Sequence, residues 1–261
     1  MENEEIILPE DKEIFLKSLN KKGFLLEDKT WKILEGLSHE GISRNKVIEH
    51  NGERVEIDFI FESSNHCLVG DCKRTDFSWI FAKANERTNT LNLIYDSSRG
   101  MKVKTRATSD FSTAWTDIGV MFKEDGRLMV EQNGFAKSPR ESWNDLEKNI
   151  KQILKETEAY IQTKRFLGKI IIPIIVTNSK LYFLKYSKGD LDNNGDLTDY
   201  NSVNEIEGIV YNFPEVLKWD KMQQTILSED EEMFQHHVKS IFIVNINYLG
   251  TFVAKILDQS L

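Results

Sequence analysis

Little in this sequence interrupts a folded chain. It holds four prolines in 261 residues, with no low-complexity tract and no internal repeat. A stacked-repeat array and a proline-rich linker are thereby excluded. Its two cysteines, Cys67 and Cys72, are too few for a disulfide framework. They fall in one predicted strand, where a bridge along the chain is geometrically poor, and read as reduced packing thiols. No apolar run approaches the roughly 20 residues that span a bilayer. The opening MENEEIILPEDKE is acidic and polar, unlike a signal peptide, so the expectation is a cytoplasmic protein with no membrane partner. Neither G-x-x-x-x-G-K-[ST], G-x-G-x-x-G nor G-x-S-x-G occurs, which removes P-loop, dinucleotide-fold and nucleophile-elbow chemistry. His236 and His237 are adjacent and diverge on any regular element, so they do not chelate one zinc ion.

What remains is an ordinary globular balance, 40% hydrophobic and 29% charged, long enough to bury a sizeable core. Residues 1–261 are read as a single elaborated domain. Forty-two acidic against 34 basic side chains give a net charge of −8. That excludes coating nucleic acid by charge alone and leaves a local basic face open.

The hydrophobic period changes along the chain. Residues 11–23 carry Ile14, Phe15 and Leu19 at helical spacing, and 27–36 place Glu27, Trp31 and Leu34 on one helical face. A short strand over 46–50 then meets Asn51-Gly52, a strong hairpin signal, before 54–61 alternate. That alternation predicts Val55, Ile57, Phe59 and Phe61 on one side and Glu56, Asp58 and Ile60 on the other. Residues 67–73 form the next strand, with Val69, Asp71 and Lys73 sharing a face. A helix is predicted over 77–95, further strands over 101–133 with a turn at Asp125-Gly126, and a long amphipathic helix over 141–166. Its inner stripe is Trp143, Leu146, Ile150, Ile153 and Leu154. Two strands joined around Asn178-Ser179 follow, the first apolar on both faces and hence central. An acidic loop over 188–207, a strand over 240–248 and a C-terminal helix complete the reading.

Three polar residues interrupt this apolar pattern. If the strands carrying Asp58 and Asp71-x-Lys73 pair, two carboxylates and an ammonium converge, which is costly among Ile57, Phe59, Leu68 and Val69 unless they are paired or metal-bound. A hard divalent cation takes oxygen ligands and keeps several waters, so one or two carboxylates suffice to hold Mg²⁺ or Mn²⁺. Such an ion activates water and polarises a phosphate, and a neighbouring lysine acts on the phosphate as a point charge. The competing reading is a cross-strand ion pair on a solvated face.

A helix bearing Glu27, then GERVEIDFIF, then LVGDCKR, resembles the restriction-endonuclease-like PD-(D/E)XK nuclease superfamily, in the style of its Mrr-like, NERD-like and Holliday-junction-resolvase-like branches. The likeness covers about residues 24–97, with a family-specific extension over about 134–261. It implies an α/β fold, a mixed central sheet flanked by helices with a C-terminal α/β elaboration. It also implies Asp58 and Asp71 as metal ligands, Lys73 as the catalytic lysine, and Glu27 as a helix-borne residue that assists with metal or water. The strand carries Asp71 where Glu is commoner, and no proline precedes Asp58. The implied activity is Mg²⁺- or Mn²⁺-dependent phosphodiester hydrolysis, with DNA as partner, a restriction or defence role, and a homodimer as one way to cut two strands. The alternatives are a catalytically inactive nucleic-acid- or protein-binding module on the same fold, or an RNA-cleaving nuclease. Glu27 also fits a helix-start carboxylate favoured by the macrodipole, and Glu35 and Glu56 rival it for the third acidic position.

Basic residues follow the motif. Arg74 lies next to it, Lys83 and Arg87 share a face of the predicted 77–95 helix, and Lys102, Lys104 and Arg106 alternate along a strand. All six are candidate nucleic-acid contacts, against a solvated helix face or a lysine-protected edge strand. Asp190, Asp192, Asn194 and Gly195 mimic the start of a calcium loop, but its closing position is Asn201 and no bidentate carboxylate ends it.

Overall fold

Asn51 and Gly52 take φ values of +51° and +78°, the left-handed pair that a two-residue hairpin turn requires. They join β1 (Gly41–His50) to β2 (Glu53–Glu62), and β2 pairs antiparallel with β3 (His66–Lys73). The computed structural model describes residues 24–37, 41–75, 77–97, 100–115, 119–122, 139–163, 168–214 and 238–258, together with positions 13, 14 and 16. The predicted 11–23 helix, the Asp125-Gly126 turn and His236-His237 lie wholly or largely outside these residues.

The protein is mixed α/β. After β3 come β4 (Ser78–Ala84), β5 (Thr90–Ser97), β6 (Gly100–Ala107), β7 (Thr113–Trp115) and β8 (Gly119–Phe122). The second half supplies β9 (Ile170–Thr177), β10 (Leu181–Tyr186), β11 (Ser202–Ile206), β12 (Gly208–Pro214) and β13 (Val238–Asn245). The described helices include α1 (Phe24–Glu35), α2 (Pro139–Ile161) and α3 (Leu249–Asp258), and a 3₁₀ turn spans Lys188–Asp190. The large sheet runs β1-β2-β3-β9-β13-β12-β7, with β5 joined to β9 and β6 to β5. A smaller sheet runs β11-β10-β4-β8.

Strand β9 is the centre. Its IIIPIIVT run is buried almost throughout, as a strand covered on both faces must be. It pairs in parallel with β3 over its whole length. On its other side it meets β5 at Ile170 and Ile171, then β13 from Ile174 onward. Pro173, which has no N–H to give, sits at the break between those two ladders.

Two apolar layers enclose the large sheet. On one face, Leu26 and Leu34 of α1 and Leu249, Phe252, Val253 and Ile256 of α3 pack against Phe59, Phe61, Leu68 and Ile174. On the other, Leu146, Ile150, Ile153 and Leu154 of α2 pack with Trp79, Phe81, Leu181 and Phe183 of the small sheet. The α2 residues are the stripe read from the sequence; the side chain of Trp143 lies outside the described residues.

Four expectations are corrected. Residues 77–95 are two strands and a turn, not a helix. The period decides it: Trp79, Phe81 and Lys83 alternate into the interior of β4, which pairs with β10 residue for residue. Arg87 therefore lies in a turn and shares no helix face with Lys83. The strand predicted over 46–50 begins at Gly41, and the 188–207 loop contains β11, paired with β10. The regular alternation over 54–61 also fails, for a reason that belongs to the site.

Gly70 lies flat beneath the ring of Phe59, and a Cβ there would fall within that ring. Gly70→Ala is expected to destabilise the protein by about 1–3 kcal/mol in urea unfolding, as overpacking does. Adding Phe59→Leu should recover part of the loss; equal stability of Gly70→Ala and the unaltered protein contradicts the close approach.

Candidate active site

The ladder between β2 and β3 runs from Glu62↔Cys67 to Phe59↔Gly70 and stops. Asp58 and Asp71 would form the next pair. Instead, Asp58 Oδ2 accepts the backbone N–H of Cys72 at 2.7 Å, so a side-chain carboxylate stands where a backbone carbonyl would. The β1–β2 ladder skips Asp58 as well, opposite Asn45 with φ +48°, a left-handed conformation that asparagine tolerates. Across this break the side chains change faces. Val55 and Ile57 face α2, whereas Phe59 and Phe61 face α1 and α3, and Ile60 turns to α2. One regular alternation over 54–61 is thus wrong at Asp58, where the backbone leaves ladder geometry.

Strand β3 keeps its alternation. Cys67 and Val69 face α2, and Leu68 and Cys72 face the other layer. The two cysteines are free and buried, and burial pushes the Cys72 thiol well above its ordinary range. Cys72 Sγ donates to Thr30 Oγ1 of α1 at 3.5 Å. That contact fixes α1 against β3, and Glu27 lies one turn before Thr30.

Asp71 and Lys73 emerge beneath α2. Lys73 Nζ is 2.7 Å from Asp71 Oδ2; the Asp71 side chain is 3% exposed and that of Lys73 23%. This is a charge contact without hydrogen-bond geometry, and Asp71 Oδ2 has no hydrogen-bond donor. Lys73 Nζ also donates to Gln152 Oε1 at 3.0 Å, and Gln152 Nε2 donates to Glu156 Oε1 at 2.8 Å. The other oxygen of Glu156 is buried and without a donor. Helix α2 is held over this end of the sheet by Lys155 paired with Glu53, by Tyr160 O–H donating to Glu62 at 2.7 Å, and by Lys46 stacked 4.7 Å from the Tyr160 ring centre.

The carboxylates are crowded. Burial raises Asp58 to about 8, and the charge of Asp71 and a hydrogen bond shared with it add to the rise, against the Cys72 N–H. Burial raises Glu156 to about 9, with the charge of Asp71 next. Burial also raises Glu27; Arg44 opposes this, while Asp28, Glu56 and Asp71 reinforce it. Asp58 thus lies against the Asp71 carboxylate, with Lys73 as the nearest cation and Glu27 at the margin.

Asp58, Asp71 and Lys73 are thus brought together as the sequence predicts, with Glu27 beside them. Glu56 is exposed and is felt by Glu27, and Glu35 is exposed two turns further along α1. Arg74 is exposed just beyond β3. Lys83 lies near the far end of β4 and Arg87 in the turn beyond it, and Lys102, Lys104 and Arg106 lie on β6, separated from β3 by β5 and β9. Gln152 and Glu156 were not anticipated. Their signal is a carboxylate three residues past Ile153 and four before Tyr160, at the border of the α2 apolar stripe, with Gln152 one turn earlier. The calcium-like loop spends its carboxylates on itself: Asp192 Oδ1 accepts the Asn194 and Asp196 N–H groups, and Asp190 Oδ2 accepts from Ser187 and Asn201.

Among the described residues, no three histidine, cysteine or acidic side chains are gathered as a ready metal cage. What the site offers is two hard-oxygen carboxylates in contact, with Asp71 Oδ2 and Glu156 Oε2 buried and lacking donors. This suits an ion that needs one or two carboxylates and keeps its waters. No helix among the described residues is long and apolar enough to cross a membrane. The chain matches no family model, no curated protein and no solved structure.

The raised carboxyl groups set a pH dependence. The folded protein holds protons on Asp58 and Glu156 that the unfolded chain releases near pH 4. Their stabilising contribution is complete below that pH, shrinks as pH rises, and is gone above about 8 for Asp58 and about 9 for Glu156. Without divalent cations, Tm should fall across this window, and Asp58→Asn, which keeps an acceptor for Cys72, should flatten the fall. A Tm that climbs over the same range contradicts the cluster.

Proposed function

We propose that the chain is a metal-dependent phosphodiester hydrolase, most plainly a DNA endonuclease of the restriction-endonuclease-like PD-(D/E)XK type. The observation that carries this reading is the Asp71–Lys73 ion pair set against Asp58 where β2 and β3 part. The surrounding order supports it. Helix α1, the β1-β2-β3 meander, the covering α2 and the parallel neighbour β9 make a mixed sheet flanked by helices, as that resemblance implies. A restriction or defence role in the cytoplasm is the biological setting that the resemblance suggests.

In this reading Asp58 and Asp71 hold Mg²⁺ or Mn²⁺, with Glu27 and Glu156 close enough in charge to tighten or relax the site. The bound ion supplies an activated water and a polarised phosphate. Lys73, partly exposed beside Asp71, would offer its N–H groups to a phosphate oxygen or to the attacking water. Gln152 holds the ammonium in place through Oε1 and is itself oriented by Glu156. The rim is solvent-accessible on the Lys73 side, which is where a strand can approach.

The test is cleavage of plasmid DNA by the purified chain with Mg²⁺ or Mn²⁺, beside single-stranded DNA and RNA substrates. Asp71→Ala and Lys73→Ala should each lower the rate by about 100-fold or more. Glu156→Gln should lower it by about tenfold, as the loss of an outer supporting group does. Chelator should abolish cleavage. Equal cleavage by the unaltered chain and both site variants removes the enzymatic reading, and binding without cleavage points to an inactive nucleic-acid-binding module.

A further inference from the structure

The helical spacing of Lys83 and Arg87 suggests a pair of phosphate contacts on one helix face, but the position of Lys83 on β4 gives it a different setting. It is buried, and its Nζ donates to Asn89 Oδ1 and, at 3.4 Å, to Thr113 Oγ1. Both acceptors are neutral, and two bonds use only two of the three ammonium donors. Asn89 is held in this role by its Nδ2, which donates to the Phe111 carbonyl at 3.2 Å. On the neighbouring strand Lys83 is registered directly with Lys185. Like charges opposite each other in a sheet destabilise it, so the pairing needs another justification.

That justification is the cavity both residues line. It measures about 700 Å³ and is walled by the ends of β4 and β10, the β4–β5 turn and the β6–β7 connection. Lys83, Lys185 and Arg87 border it, and no acidic residue is among its described lining residues. Neutral donors share the lining, Ser109 and Ser112 among them. The buried rings of Phe111 and Phe183 form an apolar part of the lining. Burial, with the charges of Lys185 and Arg87, draws the Lys83 ammonium down to about 8, which an anion in the cavity would reverse. In a chain of net charge −8, three cations line this cavity, with the Asp110 carboxylate at its edge accepting from Thr108 and Ser109.

We propose that this cavity binds the phosphate of a nucleotide, with Lys83, Arg87 and Lys185 as the phosphate-contacting residues and Phe111 and Phe183 beside the base. The volume is in the range that holds a small organic ligand. A multiply charged phosphate suits three converging cations, and Arg87 can meet it with two parallel N–H groups. The phosphate can belong to a free nucleotide or to the end of a strand. This assignment does not rest on the Asp58–Asp71 reading, since the cavity lies at the opposite end of β4.

Titration calorimetry on the full chain, without divalent cations, tests it. The probes are inorganic phosphate, AMP, ATP, and a short oligonucleotide with and without a 5′-phosphate. Saturable binding of AMP or ATP identifies a free nucleotide, and preference for the 5′-phosphorylated oligonucleotide identifies a strand end. In either case Arg87→Glu and Lys185→Glu, both at exposed positions, should weaken binding by about tenfold or more. Lys83→Gln should do the same, with its melting curve recorded to confirm folding. Absence of saturable binding, affinity unchanged in Arg87→Glu and Lys185→Glu, or no nucleotide or 5′-phosphorylated oligonucleotide binding tighter than inorganic phosphate overturns the proposal.

Discussion

The hydrogen bond from the Cys72 N–H to the Asp58 carboxylate governs the geometry of the candidate site. A sheet interior demands that every backbone donor find an acceptor. At this point in β3 the acceptor is a side chain, so β2 is free to leave the ladder one residue early. The strands part without a buried N–H being stranded. The Asp58 carboxyl is thereby drawn between two strands and against Asp71, where two anions would repel each other strongly at low dielectric. The Lys73 ammonium and the surrounding sheet hold the arrangement together.

That arrangement draws in the opposite layer. Lys73 is bound at once to Asp71 and to Gln152, and Gln152 to Glu156, so the charge balance of the sheet is passed to helix α2. The helix is pinned over the β1–β2 hairpin by Lys155, Tyr160 and Lys46, contacts that lie away from the carboxylates and set their distance from it. The buried ion pair adds little net stability, because desolvation of both partners offsets their attraction.

Much of this was legible in the sequence where local pattern and tertiary role agree. Asn51-Gly52 specified its turn, the spacing of Leu146, Ile150, Ile153 and Leu154 specified the inner face of α2, and the doubly apolar run around Pro173 specified a central strand. Asp58, Asp71 and Lys73 stood out because charge on an otherwise apolar strand calls for a partner. The failures have physical causes. Residues 77–95 contain good helix formers beside aromatics, and only the parallel partner β10 and the buried Trp79 and Phe81 decide for strands. The face reversal at Asp58 depends on Asn45 in the preceding strand, a coupling that no pattern within 54–61 contains. Gln152 and Glu156 come from a helix some 80 residues downstream of Asp71, and their approach is a matter of fold alone.

The two polar centres of the chain are complementary. One sets the carboxylates of Asp58 and Asp71 beside the Lys73 ammonium; the other sets Lys83, Arg87 and Lys185 around a cavity. Beta-strand β4 runs between them. The central claim concerns the first centre, and the most direct measurement is anomalous diffraction from crystals of the full chain soaked in Mn²⁺. The account predicts a peak about 2.0–2.3 Å from oxygens of both Asp58 and Asp71, with Lys73 swung clear of Asp71. A crystal with Mn²⁺ at other acidic groups and none between these two carboxylates would contradict it.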